Sequence, residues 1–151
     1  MQPAEPHILG WREWLALPTF GIGAIKAKLD TGARTSSLCV VSAETFDRDG
    51  RLHVRFLVRP RRRSARVIAC EAPVVDRRAV TDSGGHISER WFVRTEIMLG
   101  SRRFETDINL TDRRAMLFPL LLGRSALDGR FRIDPGLSYT SPKPEPARPS
   151  P

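Results

Sequence analysis

A chain of 151 residues has room for one core that buries roughly two-thirds of its unfolded surface, which leaves no space for a second catalytic domain. It contains no apolar run long enough to span a bilayer and no basic-then-apolar leader, so we expect a cytoplasmic protein with no membrane partner. The net charge of +8 comes from 22 Arg and three Lys against 17 acidic residues, a positive field that favours acidic partners.

In chain order, residues 1–7 are expected to be a flexible start. From Ile8 the apolar residues around Trp11 and Trp14 predict an opening strand and turn, with both rings packed in the core. Ile22 to Leu29 alternates with period two, with Ile25, Ala27 and Leu29 on one side and Ala24, Lys26 and Lys28 on the other. This strand delivers Asp30-Thr31-Gly32, where a small glycine lets the backbone turn sharply and present a carboxylate. The tripeptide alone is equally well explained as a plain turn.

Ser36 to Phe46 and Leu52 to Val58 read as strands joined by Asp47-Arg48-Asp49-Gly50. Arg61 to Arg66 reads as a solvated, arginine-rich hairpin tip, and no aromatic residues interleave with it as a nucleic-acid platform would require. Val67 to Val75 is the next strand. Thr81 to Ser88 holds a Gly-Gly turn between β-prone residues. His53 alternates with apolar neighbours and falls on a solvated face, while His86, at the turn, is either simply exposed or in reach of a substrate. Arg90 to Leu99 and Arg102 to Leu110 form a hairpin across Gly100-Ser101. Met116 to Leu122 reads as a buried strand that Gly123 ends, Ser125 to Leu127 as one helical turn, and Phe131 to Asp134 as a last strand. Residues 141–151, with five prolines in 11 residues, read as a disordered tail. Many short strands with turn signals between them argue for an all-β barrel spanning residues 8–140. Cys39 and Cys70 are too few for a disulfide framework and are expected to be buried thiols.

Leu29-Asp30-Thr31-Gly32-Ala33, followed about 90 residues later by Leu121-Leu122-Gly123-Arg124, resembles the retropepsin-like aspartic proteases. A wider set resembles the bacterial family labelled ATP-dependent zinc proteases, which includes the RimB-type proteins associated with the glutamate ligase RimK. That set comprises Gly10-Trp11-Arg12-Glu13-Trp14, Ala27 to Ser36, Asp76-Arg77-Arg78, Thr81 to His86 and the Leu-Leu-Gly-Arg segment. The resemblance implies a single-lobe, closed β-barrel with one short helix and a flap hairpin at residues 81–88. It also implies an aspartic endopeptidase that works as a homodimer, each copy supplying one Asp30. By the same resemblance Thr31 bonds across the dimer, Gly32 meets substrate through its backbone, and Leu121-Leu122-Gly123 packs behind the turn. Ala33, Arg34, Arg77, Ser83, Gly84, Gly85, His86, Leu122, Gly123 and Arg124 are the implied substrate-binding residues.

Two residues bear on the chemistry. Ala33 lacks the hydroxyl that could stabilise the carboxylate, so activity nearer neutral than strongly acidic pH is expected. Arg34 stands where viral retropepsins carry the acid that pairs with the arginine of the downstream motif, so Arg124 needs another partner, for which Asp134 and Asp76 are the candidates. Arg34, Arg77 and Arg124 either line the cleft and select acidic side chains or form structural ion pairs. No zinc-binding pattern and no phosphate-binding loop is present, so no metal or cofactor is expected. Any ATP dependence falls to a partner such as a RimK-type ligase. The expected substrate is an acidic peptide or protein, for example a glutamylated ribosomal protein tail. The competing reading is a non-catalytic module that binds an acidic peptide or RNA.

Overall fold

The computed structural model describes residues 6–82, 84–112 and 117–144. Six strands close a ring by hydrogen bonding, in the order β10, β4, β11, β3, β2, β9 and back to β10. They are β2 (Arg12–Leu17), β3 (Ile22–Leu29), β4 (Ser36–Val40), β9 (Ile87–Leu99), β10 (Arg102–Asp112) and β11 (Leu120–Leu122). Closure removes the sheet edges that would otherwise invite pairing with other chains. β3 follows its alternation, with Ile25, Ala27 and Leu29 buried and Lys26 and Lys28 exposed. β9 and β10 form the longest hairpin, turning at Gly100, whose φ of +60° suits a residue without a Cβ.

β11 is only three residues long but has two neighbours, lying parallel to β3 and antiparallel to β4. The expected strand from Met116 is shortened to these residues, because 117–119 bend on approach and Pro119 has no amide to give a ladder; Met116 lies outside the described residues. The expected strand Ser36 to Phe46 is two strands. β4 belongs to the ring, and after Val41 the chain enters β5 (Ser42–Arg48), which pairs with β6 (Arg51–Val58) and β7 (Ile68–Pro73) in a separate three-stranded sheet. That sheet turns Val54, Phe56, Val58, Cys70 and Ala72 onto the barrel core, where Phe56 meets Phe20 edge to face at 5.1 Å. Arg61, Arg62, Arg63 and Arg66 are exposed in the connection between β6 and β7. Cys39 and Cys70 are buried thiols, and burial pushes the Cys70 thiol up to about 11.

β8 (Asp76–Thr81) pairs with the first half of β9, making the flap hairpin that the resemblance implied. α1 (Arg124–Leu127) is one helical turn. β1 (His7–Gly10) runs parallel to β12 (Phe131–Asp134), so His7 is already paired, with Phe131. Ser141, expected in the tail, is buried and donates its amide to Glu13. The inward residue between the two tryptophans is Glu13, fully buried, which accepts hydrogen bonds from the Gly10 amide at 2.8 Å and the Thr140 hydroxyl at 2.6 Å. Trp11 and Trp14 are therefore only half-buried, on the outer face, where Arg12 lies over Trp11 and Lys26 and Lys143 lie over Trp14. Among the described residues no helix is long and apolar enough to cross a membrane.

Candidate active site

The Asp30 turn is built from two distant parts of the chain. At the end of β3 the Leu29 amide donates to the Trp11 carbonyl, and the Asp30 amide donates to the Leu122 carbonyl at 2.8 Å. The Ala33 amide then closes the turn on the Asp30 carbonyl at 3.2 Å, and the Gly32 amide donates to Asp30 Oδ1 at 2.9 Å. From behind, the Arg124 amide donates to the Ala33 carbonyl at 2.8 Å and the Ser125 amide to the Arg34 carbonyl at 3.0 Å. Gly123 donates to Ser36 Oγ at 3.0 Å. A Cβ at Gly123 would stand 2.5 Å from the Thr35 carbonyl oxygen and 2.9 Å from that of Ala33, which is why only glycine fits there.

These bonds fix the backbone on which the carboxylate stands. Asp30 and Ala33 are half-buried, Thr31, Gly32 and Arg34 are exposed, and Leu122 and Gly123 are buried behind the turn. Arg124 differs from expectation in its partner: Nη1 donates to the Thr31 carbonyl at 3.0 Å. Asp76 instead pairs with Arg78 at 2.7 Å, and Asp134 accepts the Gly136 amide at 2.8 Å. Arg124 is bound to the turn itself because its own backbone is already anchored there, within reach of that carbonyl.

In the flap hairpin, Asp82 Oδ1 accepts the amides of Gly84 and His86, each at 2.9 Å. Those amides, His86 first, hold the Asp82 carboxyl below its ordinary value against a smaller desolvation effect. Gly85 turns the tip with a φ of +82°, and Gly84, Gly85 and His86 are all exposed. Ser83 lies outside the described residues. Arg77, on the outer strand, is paired with Glu89 and lies over Trp91.

Strand register sets the outer face of the sheet beside Asp30. Lys28 is matched with Leu121, Leu121 with Ser37, and Ser37 with Asn109, across β3, β11, β4 and β10. Their neighbours Leu29, Leu122, Leu38 and Ile108 are buried in the core, so these four face the other way. Asp30 lies two residues beyond Lys28, and alternation puts its carboxylate on this same face. Ser37 and Asn109 are nonetheless buried, because Arg90, at the root of the flap hairpin, reaches over them. Its Nη1 donates to Asn109 Oδ1 at 3.0 Å and Ser37 Oγ at 3.4 Å. Asn109 Nδ2 continues to Thr35 Oγ1 at 3.2 Å and the Ser36 carbonyl at 2.9 Å. Burial lowers the pKa of the Arg90 guanidinium, and the Asp82 charge opposes that shift. Arg90, Ser37 and Asn109 are absent from the sequence-derived set. The available signal was the presence of polar residues at strand positions between apolar ones. Among the described residues no group of three or more His, Cys, Asp or Glu side chains is gathered as a metal set would be.

A family model described as "RimB-like: Retropepsin-like aspartic endopeptidase RimB" matches residues 8–144. Proteins named "Probable alpha-L-glutamate ligase" from Desulfotalea psychrophila and Shewanella halifaxensis are 43% identical over 137 residues and 40% identical over 133 residues. Those matches cover 90% and 87% of this chain but only 30% and 29% of the relatives, so the chain spans under a third of their length. The crystal structure of Lpg0085 from Legionella pneumophila, a protein of unknown function (DUF785), superimposes with a TM-score of 0.72 at 31% identity. That match covers 89% of this chain and 97% of the other.

Proposed function

The chain belongs to the RimB-like family of retropepsin-like aspartic endopeptidases, and from that premise we propose that it hydrolyses peptide bonds with Asp30, paired with the same residue of a second copy. The observation that carries this reading is the doubly braced turn, with the Asp30 amide on Leu122 and the Ala33 carbonyl on Arg124. Such bracing holds one carboxylate on a half-exposed corner beside a flap hairpin. A single Asp-Thr-Gly supplies half of the required pair, and two-fold symmetry supplies the rest.

Two carboxyl groups about 3 Å apart do not both ionise easily, so they share one proton. The ionised oxygen takes a proton from water as that water attacks the amide carbon, and the protonated one gives its proton to the carbonyl oxygen. Collapse of the tetrahedral intermediate breaks the C–N bond, and the departing nitrogen leaves with a proton returned by the pair. Thr31 and Gly32 are exposed on the turn, which supports a bond from Thr31 across the two-fold axis and a backbone contact from Gly32 to substrate. The positive charge of the chain and the likeness to a part of proteins named glutamate ligases support a Glu-rich or glutamylated substrate and a ligase partner.

Mass-spectrometric cleavage of a peptide library enriched in acidic sequences, by wild type and Asp30→Asn in parallel from mildly acidic to neutral pH, tests this. Cutting that disappears in the variant is the expected result, and equal cutting by both would overturn the role of Asp30. The ligase-named relatives favour one second reading, an accessory module that binds the acidic product of such a ligase. Binding without cutting by either protein would establish that alternative.

A further inference from the structure

A half-buried guanidinium loses water and needs strong acceptors in return. Four arginines of β8, β9 and β10 find carboxylates: Arg77 meets Glu89, Arg78 meets Asp76 at 2.7 Å, Arg94 meets Glu105 at 2.8 Å, and Arg103 meets Glu96 at 2.5 Å. Arg90 is held by neutral oxygens instead, Asn109 Oδ1 and Ser37 Oγ on Nη1, and Ser88 Oγ on Nε at 3.2 Å. Among the described residues this leaves Nη2 for a further acceptor. Asp82 contributes its field, but its Oδ1 is committed to the amides of Gly84 and His86.

The position matters as much as the charge. Ser37, under the guanidinium, is paired with Leu121, whose neighbour Leu122 holds the Asp30 amide. Two strand spacings across and two residues along the sheet put Arg90 on the order of 12 Å from Asp30, the span of about three residues of an extended peptide. Ser37, Asn109 and Ser88 fix the plane of the guanidinium, and the Nη2 hydrogens are left to meet a carboxylate through charge-assisted hydrogen bonds.

We propose that Arg90, seated on Ser37 and Asn109 beneath the flap, determines specificity by taking up a carboxylate-bearing side chain of the peptide within about three residues of the bond to be cut. This rests on the reading of Asp30 as the cleavage centre, so the test has two arms. In the first, calorimetry measures binding of a tetraglutamate peptide and its tetraglutamine counterpart to the Asp30→Asn chain, with and without Arg90→Gln. The glutamate peptide is expected to bind about tenfold tighter. Arg90→Gln should erase that difference while leaving the glutamine peptide within about twofold. Arg90→Lys, which keeps the charge and loses the anchored planar group, should retain part of it, and that variant decides the matter if Arg90→Gln does not fold. A preference absent from the parent, unchanged in either Arg90 variant, or lost only because both peptides weaken together would overturn the proposal. In the second arm, kcat/KM for both peptides is measured with Asp30 intact, and Arg90→Gln should lower it for glutamate alone. Failure of the wild type to cut anything would overturn the catalytic reading of Asp30, while the binding arm would still decide Arg90.

Discussion

Gly123 and Gly32 occupy the same site and carry different burdens. A methyl group at Gly123 would run into the carbonyl oxygens of Thr35 and Ala33, both fixed backbone, whereas at Gly32 it would meet only Asp30 Oδ1 at 3.2 Å. Gly123→Ala should therefore destabilise the fold by about 3 kcal/mol, read as a loss of roughly 6–12 °C in Tm for a chain of this size. Gly32→Ala should leave Tm within about 2 °C and still impair cleavage, because its methyl group crowds the carboxylate. Equal melting temperatures for the two variants would show that the turn is less rigid than its hydrogen bonds indicate. Both glycines were legible in the sequence because their motifs are local. Arg90 was not, since an arginine in a strand can face water or a cleft. Its partners Ser37 and Asn109 stand 53 and 19 residues away, in strands whose register only the closed sheet defines.

The flap hairpin and the C-terminal clasp each depend on one carboxylate. In the hairpin, hydrogen bonds from His86 and Gly84 lower the Asp82 pKa. The folded turn thus prefers the ionised form: its contribution is complete above the ordinary aspartate value near 3.9 and fades as pH falls through the lower, folded value. Amide resonances of Gly84 and His86 should therefore shift and exchange faster below about pH 4, and Asp82→Ala should show that loosened state already at neutral pH. Amides that ignore both changes would sink this account. In the clasp, Glu13 accepts from Gly10, Thr140 and Ser141. Glu13→Ala leaves three donors without their acceptor and should cost about 3 kcal/mol; limited proteolysis should then cut first within residues 138–144, and an uncut segment would contradict this role. Alternation revealed β3, β6 and the run from Arg90 to Leu99 in β9, each with an inner and an outer face, and β10 followed as the hairpin partner of β9. It missed the corner at Val41, because Ser36 to Phe46 contains no glycine or proline to mark it. All five residues of β4 are buried, so one face gives no contrast with the other, and the corner is imposed by ring closure.

For the molecule as a whole, the proposed pairing of two Asp30 residues makes activity a property of pairs. Wild type mixed with Asp30→Asn at constant total protein should lose activity as the square of the wild-type fraction, giving about one quarter at equal proportions where independent monomers would give about one half. A straight line in that assay would rule out a shared site. The ring itself has an unusual dependence on order. β3 and β4 are not hydrogen-bonded to each other; they meet only through β11, which is separated from them by most of the chain. Synthesis proceeds from the N-terminus, so a nascent chain that has reached residue 112 already contains Asp30, the flap and five of the six ring strands, yet lacks the wedge that joins the two sides. The Asp30 amide has no Leu122 carbonyl to bond, and the turn has no Arg124 behind it. Unfinished chains on the ribosome are thereby kept from assembling this corner, so under the proposed role of Asp30 no cutting would precede completion of the fold.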